Sequence, residues 1–172
     1  APRPDGSKNA NKGVSGDGGA VVGMGYDVVL THSGLVDGLN VFAGISDTEQ
    51  AAGVGDKDEK AYGATYAVGA LTVGYQYSKI ENPGIASDYY ENDAYGISYA
   101  INDDLSVSYG RTDSTQHDNS ASANVEMQGQ SLQLSYSVGG ASVKIAESSV
   151  DNQKYQSGTN RDGRTVALTL AF

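Results

Sequence analysis

The sequence predicts an all-β chain: an antiparallel up-and-down transmembrane β-barrel, with about nine strands in view. Three observations carry this. From Ala20 to Phe172, large apolar residues alternate with small or polar ones at period two, the mark of a strand with two unlike faces. No heptad or helical face interrupts the pattern. The connections alternate in length, so short turns fall at one end of the sheet and long polar loops at the other.

In chain order, the alternation places strands over 20–31, 38–47, 60–69, 71–79, 93–101, 105–112, 126–138, 141–149 and 164–172. Val36 to Gly38, Gly69-Ala70, Asn102 to Asp104 and Gly139-Gly140 make the short turns. The stretches 48–59, 80–92, 113–125 and 150–163 make the long loops. Residues 1–19, rich in Gly, Asn, Asp, Lys and Pro, read as a polar loop or tail. Residues 20–172 read as the strands of one barrel domain. The chain opens on Ala1 without the pattern of a signal peptide, so the expectation is a removed leader or a piece of a longer chain.

Composition narrows the function. The chain has 172 residues with 11 Lys plus Arg against 21 Asp plus Glu, a net charge of −10, which argues against binding a nucleic-acid backbone. With 0 Cys and 2 His, there is no thiol chemistry, and no metal site or cofactor is expected. The 23 glycines disfavour helix. No apolar run approaches the ~18 residues of a membrane-spanning helix. The mean hydropathy is negative, which ordinarily suggests a soluble protein; the distribution of residues over the two faces argues otherwise.

One face carries Tyr26, Val28 and Leu30, then Val41 and Ile45, Tyr62 and Tyr66, Tyr75 and Tyr77, Tyr95 and Ile97, and so on to Leu168 and Leu170. The other carries Gly, Ala, Ser and Thr, with only Val21, Val29 and Phe42 bulky and apolar. A soluble sandwich would cover its apolar face with a second layer and show water a charged face. Here every strand repeats the same pattern, so no second layer exists to cover it. Curling the sheet in lipid removes the difficulty: the bulky face meets acyl chains, the small polar face lines water, and closure pairs every backbone group. On this reading Asp27, Asn40, Gln76, Gln133 and Lys144 line the pore.

Near the loop end the bulky register turns charged, at Lys60, Lys79, Arg111, Glu147 and Arg164. Charge is costly mid-bilayer and tolerated at its border. The expectation is that the cations Lys60, Lys79, Arg111 and Arg164 form a rim touching lipopolysaccharide phosphates. Outward tyrosines such as Tyr62, Tyr66, Tyr77, Tyr95 and Tyr99 suit interfacial girdles, and equally suit β-propensity alone.

The segments 61–77 (AYGATYAVGALTVGYQY) and 93–101 (DAYGISYAI) resemble hairpins of the general bacterial porins, particularly those of α-proteobacteria. The ending TVALTLAF, with Leu168, Leu170 and the final Phe172, is similar to the terminal strand read by the outer-membrane assembly machinery. Leu170 stands where that family favours an aromatic. The resemblance covers residues 20–172. It implies a bacterial outer-membrane location and a homotrimer. It also implies a water-filled channel for passive diffusion of small hydrophilic solutes and ions. A porin's last strand ends in the periplasm, so an odd count places residues 1–19 outside. It implies the C-terminal part of a larger barrel, about 16 strands, with N-terminal strands missing. The alternative is an eight-stranded closure of the second to ninth strands. The constriction loop of a porin lies in its N-terminal half, so what this sequence supplies is wall. Net acidity suggests a preference for cations.

His32 and His117 fall in connections far from any serine on a strained turn, so no Ser-His-Asp triad is expected and the chain is read as no enzyme. The acidic stretches 56–59 and Asp103-Asp104 match a calcium loop only loosely. The second reading is a small outer-membrane barrel with a structural or adhesive role through its long loops.

Overall fold

The computed structural model describes residues 25–50, 55–82, 89–117 and 124–170. The tail 1–19, the start of the first strand, and Phe172 lie outside the described residues. Nine strands follow one another: β1 (Gly25–Ser33), β2 (Leu39–Thr48), β3 (Lys57–Val68), β4 (Leu71–Glu81), β5 (Tyr89–Ala100), β6 (Leu105–His117), β7 (Val125–Val138), β8 (Ala141–Asp151) and β9 (Arg161–Leu170). They form one sheet in the order β1 to β9, every neighbouring pair antiparallel. Among the described residues the sheet is not closed: β1 pairs with β2 alone and β9 with β8 alone. No described helix is long and apolar enough to cross a membrane, which leaves crossing by strands untouched.

The register keeps the two faces apart across the whole sheet. One ladder row on the bulky face runs Tyr66, Val73, Ile97, Tyr109, Leu132, Glu147, Arg164. The row beside it on the other face runs Thr65, Gly74, Gly96, Gly110, Ser131, Ser148, Gly163. A slip of one residue between any two strands would mix these sets. Phe42, one of the bulky exceptions, lies opposite Gly63, whose missing side chain leaves room for the ring.

The short turns obey their chemistry. Gly139 and Gly140 both have positive φ, 55° and 83°, as a two-residue hairpin of primed type requires. At the β5–β6 turn, Asn102 Oδ1 accepts from the amides of Asp104 and Leu105, both at 2.9 Å.

Several strands run further toward the loops than the alternation predicts. β3 begins at Lys57 rather than 60, β5 at Tyr89 rather than 93, and β6 reaches His117 rather than 112. The added residues are charged or polar. Periodicity of apolar residues stops at the edge of the apolar zone, whereas the backbone ladder continues wherever cross-strand partners exist. Two corrections follow: His32 and His117 lie on strands, not in connections. The β8–β9 connection also holds a tight turn at Gln153–Tyr155, left-handed at Lys154 and Tyr155, that no sequence signal announced.

No large side chain among the described residues is fully buried. On central strands Ile97 is 45 % exposed and Leu132 53 %. Among the described residues the buried positions are three hydroxyl residues, Ser46, Thr48 and Ser114. Among the described residues the sheet has no buried apolar core; its apolar side chains stand side by side on one surface.

Candidate functional site

Strand alternation places Asp27, Asn40, Gln76, Gln133 and Lys144 on the small-residue face, each opposite small or polar partners. Asp27 faces Ser46, Asn40 faces Thr65, Gln76 faces Gly63 and Ala94, Gln133 faces Ser108 and Ala146, and Lys144 faces Ser135 and Ala167. They occupy separate ladder rows, so they form a wall rather than a cluster. Between them lies a shallow hollow of about 300 Å³, lined in part by Thr65, Thr72, Gly74, Ser98, Ser108 and Gln133. Glycines, Val73, Ile97 and Tyr109 complete its lining, so its surface is more apolar than polar, with hydroxyls and one amide set into it. Gln133 and Ser131 are in contact at 3.5 Å, and such polar groups can hold water.

At the loop end of the bulky face, three of the predicted rim cations are engaged by carboxylates. Lys79 Nζ lies 2.5 Å from Glu81 Oε1 and 4.0 Å from the centre of the Tyr89 ring. Arg111 Nε donates to both oxygens of Asp113 at 2.9 Å. Arg164 Nε donates to Glu147 Oε1 at 2.6 Å across the β8–β9 ladder. Lys60 stands directly opposite Lys79. Asp47, Asp58 and Glu81 form the next row beyond, like charges side by side. Asp47, above the apolar zone, has its carboxyl pushed up from its ordinary value, first by desolvation, then by the charges of Asp56 and Asp58. His117 pairs with Glu91 at 3.1 Å and stacks on Tyr89, with ring centres 4.1 Å apart. Among the described residues no group of His, Asp and Glu is arranged to hold a metal ion.

Below this rim lie the tyrosines. Tyr62 stacks on Tyr77 at 5.1 Å and Tyr75 meets Tyr95 at 5.3 Å. Their hydroxyls reach toward the loop end: Tyr75 donates to Asp93 at 2.5 Å, Tyr77 to Glu91 at 2.8 Å, Tyr109 to Gln130 at 2.8 Å. In each case the acceptor sits one row nearer the loops than the tyrosine. Rings therefore sit in the apolar zone and hydroxyls at its edge, as in an interfacial belt.

Sequence reasoning missed a network on the small-residue face. Ser114 Oγ donates to Asn92 Oδ1 at 2.5 Å and lies 2.7 Å from the Tyr155 hydroxyl; Asn92 Nδ2 donates to Ser78 Oγ at 3.2 Å. Gln116 Nε2 donates to the Tyr90 hydroxyl at 3.2 Å, and the Tyr90 and Tyr155 rings lie 5.3 Å apart. The parity of β5 and β6 identifies which of their residues share this face. Nothing local in 150–163 says that Tyr155 folds back onto it.

A scan against protein-family models found no match, and a search of curated proteins found none.

Proposed function

We propose that the sheet is the wall of a bacterial outer-membrane β-barrel of porin type, passing small hydrophilic solutes and ions by diffusion. One relationship supports this most strongly. The border between apolar and charged residues on the bulky face is oblique to the ladder rows. In β3 it falls at Lys60. In β9 it falls at Arg164, whose row meets β3 at Tyr66, six residues further along. Six strand steps at ~4.8 Å and six residues at ~3.4 Å give a slope of roughly 35°. A planar bilayer surface cuts a barrel's rows at the strand tilt, which is about 35–45° in outer-membrane barrels. The turn ends descend the same way, from Gly38 beside Ala67 in the β3 frame to Gly139-Gly140 beyond Tyr136 in β7. From Leu71 to Lys79 the apolar zone of β4 projects to roughly 19–22 Å along the barrel axis, close to the height of an outer-membrane apolar band. A soluble sheet has no reason to align its exposed apolar zone to an oblique plane.

The rest follows from the two solvents. Water fills the side lined by Asp27, Asn40, Gln76, Gln133 and Lys144, and no covalent step or cofactor is involved. Lys60 suits a lipopolysaccharide phosphate, while Lys79, Arg111 and Arg164 would share one with their carboxylates. In lipid, the free edges of β1 and β9 both need strand partners. A homotrimer is the assembly the porin resemblance implies. Planar-bilayer recording on the full chain tests the function: ohmic steps support a porin, and a silent, correctly inserted barrel overturns it. That silent outcome is what the second reading requires, a barrel acting structurally or adhesively through its loops. The inward packing of Tyr155 is the observation in its favour.

A further inference from the structure

We infer that the β8–β9 connection narrows the channel mouth at the loop end, with Tyr155 as the residue that sets its width for hydrophilic solutes. This rests on the reading of the small-residue face as channel lining. The loop could have extended beyond β8 and β9 into water. Instead it turns back over the small-residue face and passes β7. The Tyr155 hydroxyl ends 2.7 Å from Ser114 Oγ on β6, and its ring lies 5.3 Å from that of Tyr90 on β5. At ~4.8 Å per strand, the loop reaches roughly 10–14 Å across the wall from β8. Ser114 beneath it is 3 % exposed; Ser46 and Thr48, on the same face in β2, are the other buried residues among those described.

The return is held by unusual backbone. Asn152, Lys154 and Tyr155 have φ of 53°, 59° and 57°, left-handed conformations that residues other than Gly rarely adopt. Side chains of the loop brace them. Asn152 Oδ1 accepts from the Gly158 amide at 2.9 Å, and Asn152 Nδ2 donates to the Glu126 carbonyl at 2.9 Å, tying the loop to β7. Asn160 Oδ1 accepts from the Asn152 amide at 3.2 Å, and the Gln153 amide donates to the Thr159 carbonyl at 2.7 Å. Strain held in place by several bonds, with an aromatic ring at its tip, is the form of a fixed obstruction rather than of a free loop.

The test uses the full chain reconstituted in bilayers. Replacing Tyr155→Ala is expected to raise single-channel conductance, on the order of 1.5-fold or more, and to admit larger sugars. Tyr155→Phe keeps the ring and stays near the parent value. Equal conductance in all three proteins overturns the inference. A second readout does not depend on conduction. With 0 native cysteines, a Thr112→Cys thiol on the small-residue face, one row deeper than Ser114, reports access from the loop side. The parent loop should slow a bulky maleimide more than a small one, and Tyr155→Ala should remove that difference. A size dependence that Tyr155→Ala leaves unchanged overturns the inference even in a conducting channel. A parent protein that never conducts defeats the channel reading, and the thiol still judges where the loop sits.

Discussion

Tyr77 in β4 donates its hydroxyl to Glu91 in β5 at 2.8 Å, across the ladder and one row nearer the loops. The pair lies where the bulky face changes from apolar to charged residues. Tyr77→Phe leaves the ring stacked on Tyr62 and removes the bond to a carboxylate. The expected loss is about 1.5 kcal/mol of unfolding free energy, measured by denaturant titration of the protein folded into lipid vesicles.

The two faces should respond oppositely to charge at similar depth. Leu134, in the middle of the apolar zone of β7, faces Val107 and Ile145; Ser108, in β6, faces Ser98 and Gln133. Leu134→Arg is expected to cost about 2–4 kcal/mol of folding into a bilayer. Ser108→Arg should be tolerated, because water reaches that side. Comparing vesicle-folding yields and unfolding midpoints of the two variants decides it, and a reversed order would contradict the membrane reading.

Acid should relieve the crowding at Asp47. Its carboxyl is raised from 3.8, by desolvation and then by Asp56 and Asp58, so the folded state disfavours its ionised form. The group is therefore unfavourable to folding above the raised value, and this effect fades as pH falls through that value to below 3.8. Asp47→Asn should stabilise the protein at neutral pH and flatten this part of the pH dependence. Unfolding midpoints of parent and variant across the acid range are the measurement.

Gly34 and Gly38 bracket the β1–β2 turn, both with positive φ, 96° and 78°. A Cβ on Gly34 meets nothing within 4 Å, whereas one on Gly38 would run into the Ala67 carbonyl. Gly34→Ala should cost about 1 kcal/mol from backbone strain alone. Gly38→Ala should cost more, because the Ala67 amide also donates to the Gly38 carbonyl at 2.9 Å. Equilibrium unfolding of the two variants in parallel gives the comparison.

What the sequence determined by itself was local. Period-two alternation assigned Leu132, Leu134 and Tyr136 to one face of β7 and Ser131, Gln133 and Ser135 to the other, because neighbouring side chains on a strand must point apart. Paired glycines at 139 and 140 marked a turn because few other residues tolerate positive φ. The strand ends at Lys57, Tyr89 and His117 were hidden, since polar residues carry no apolar rhythm. Only the tertiary structure decided what depends on register. It set Arg164 in the row of Tyr66 rather than of Lys60, and so gave the apolar border its slope. It brought Lys79, Arg111 and Arg164 onto carboxylates, and carried Tyr155 over β7 to Ser114. Those facts concern which distant residues come opposite one another, and pairing between strands is settled by the whole sheet at once.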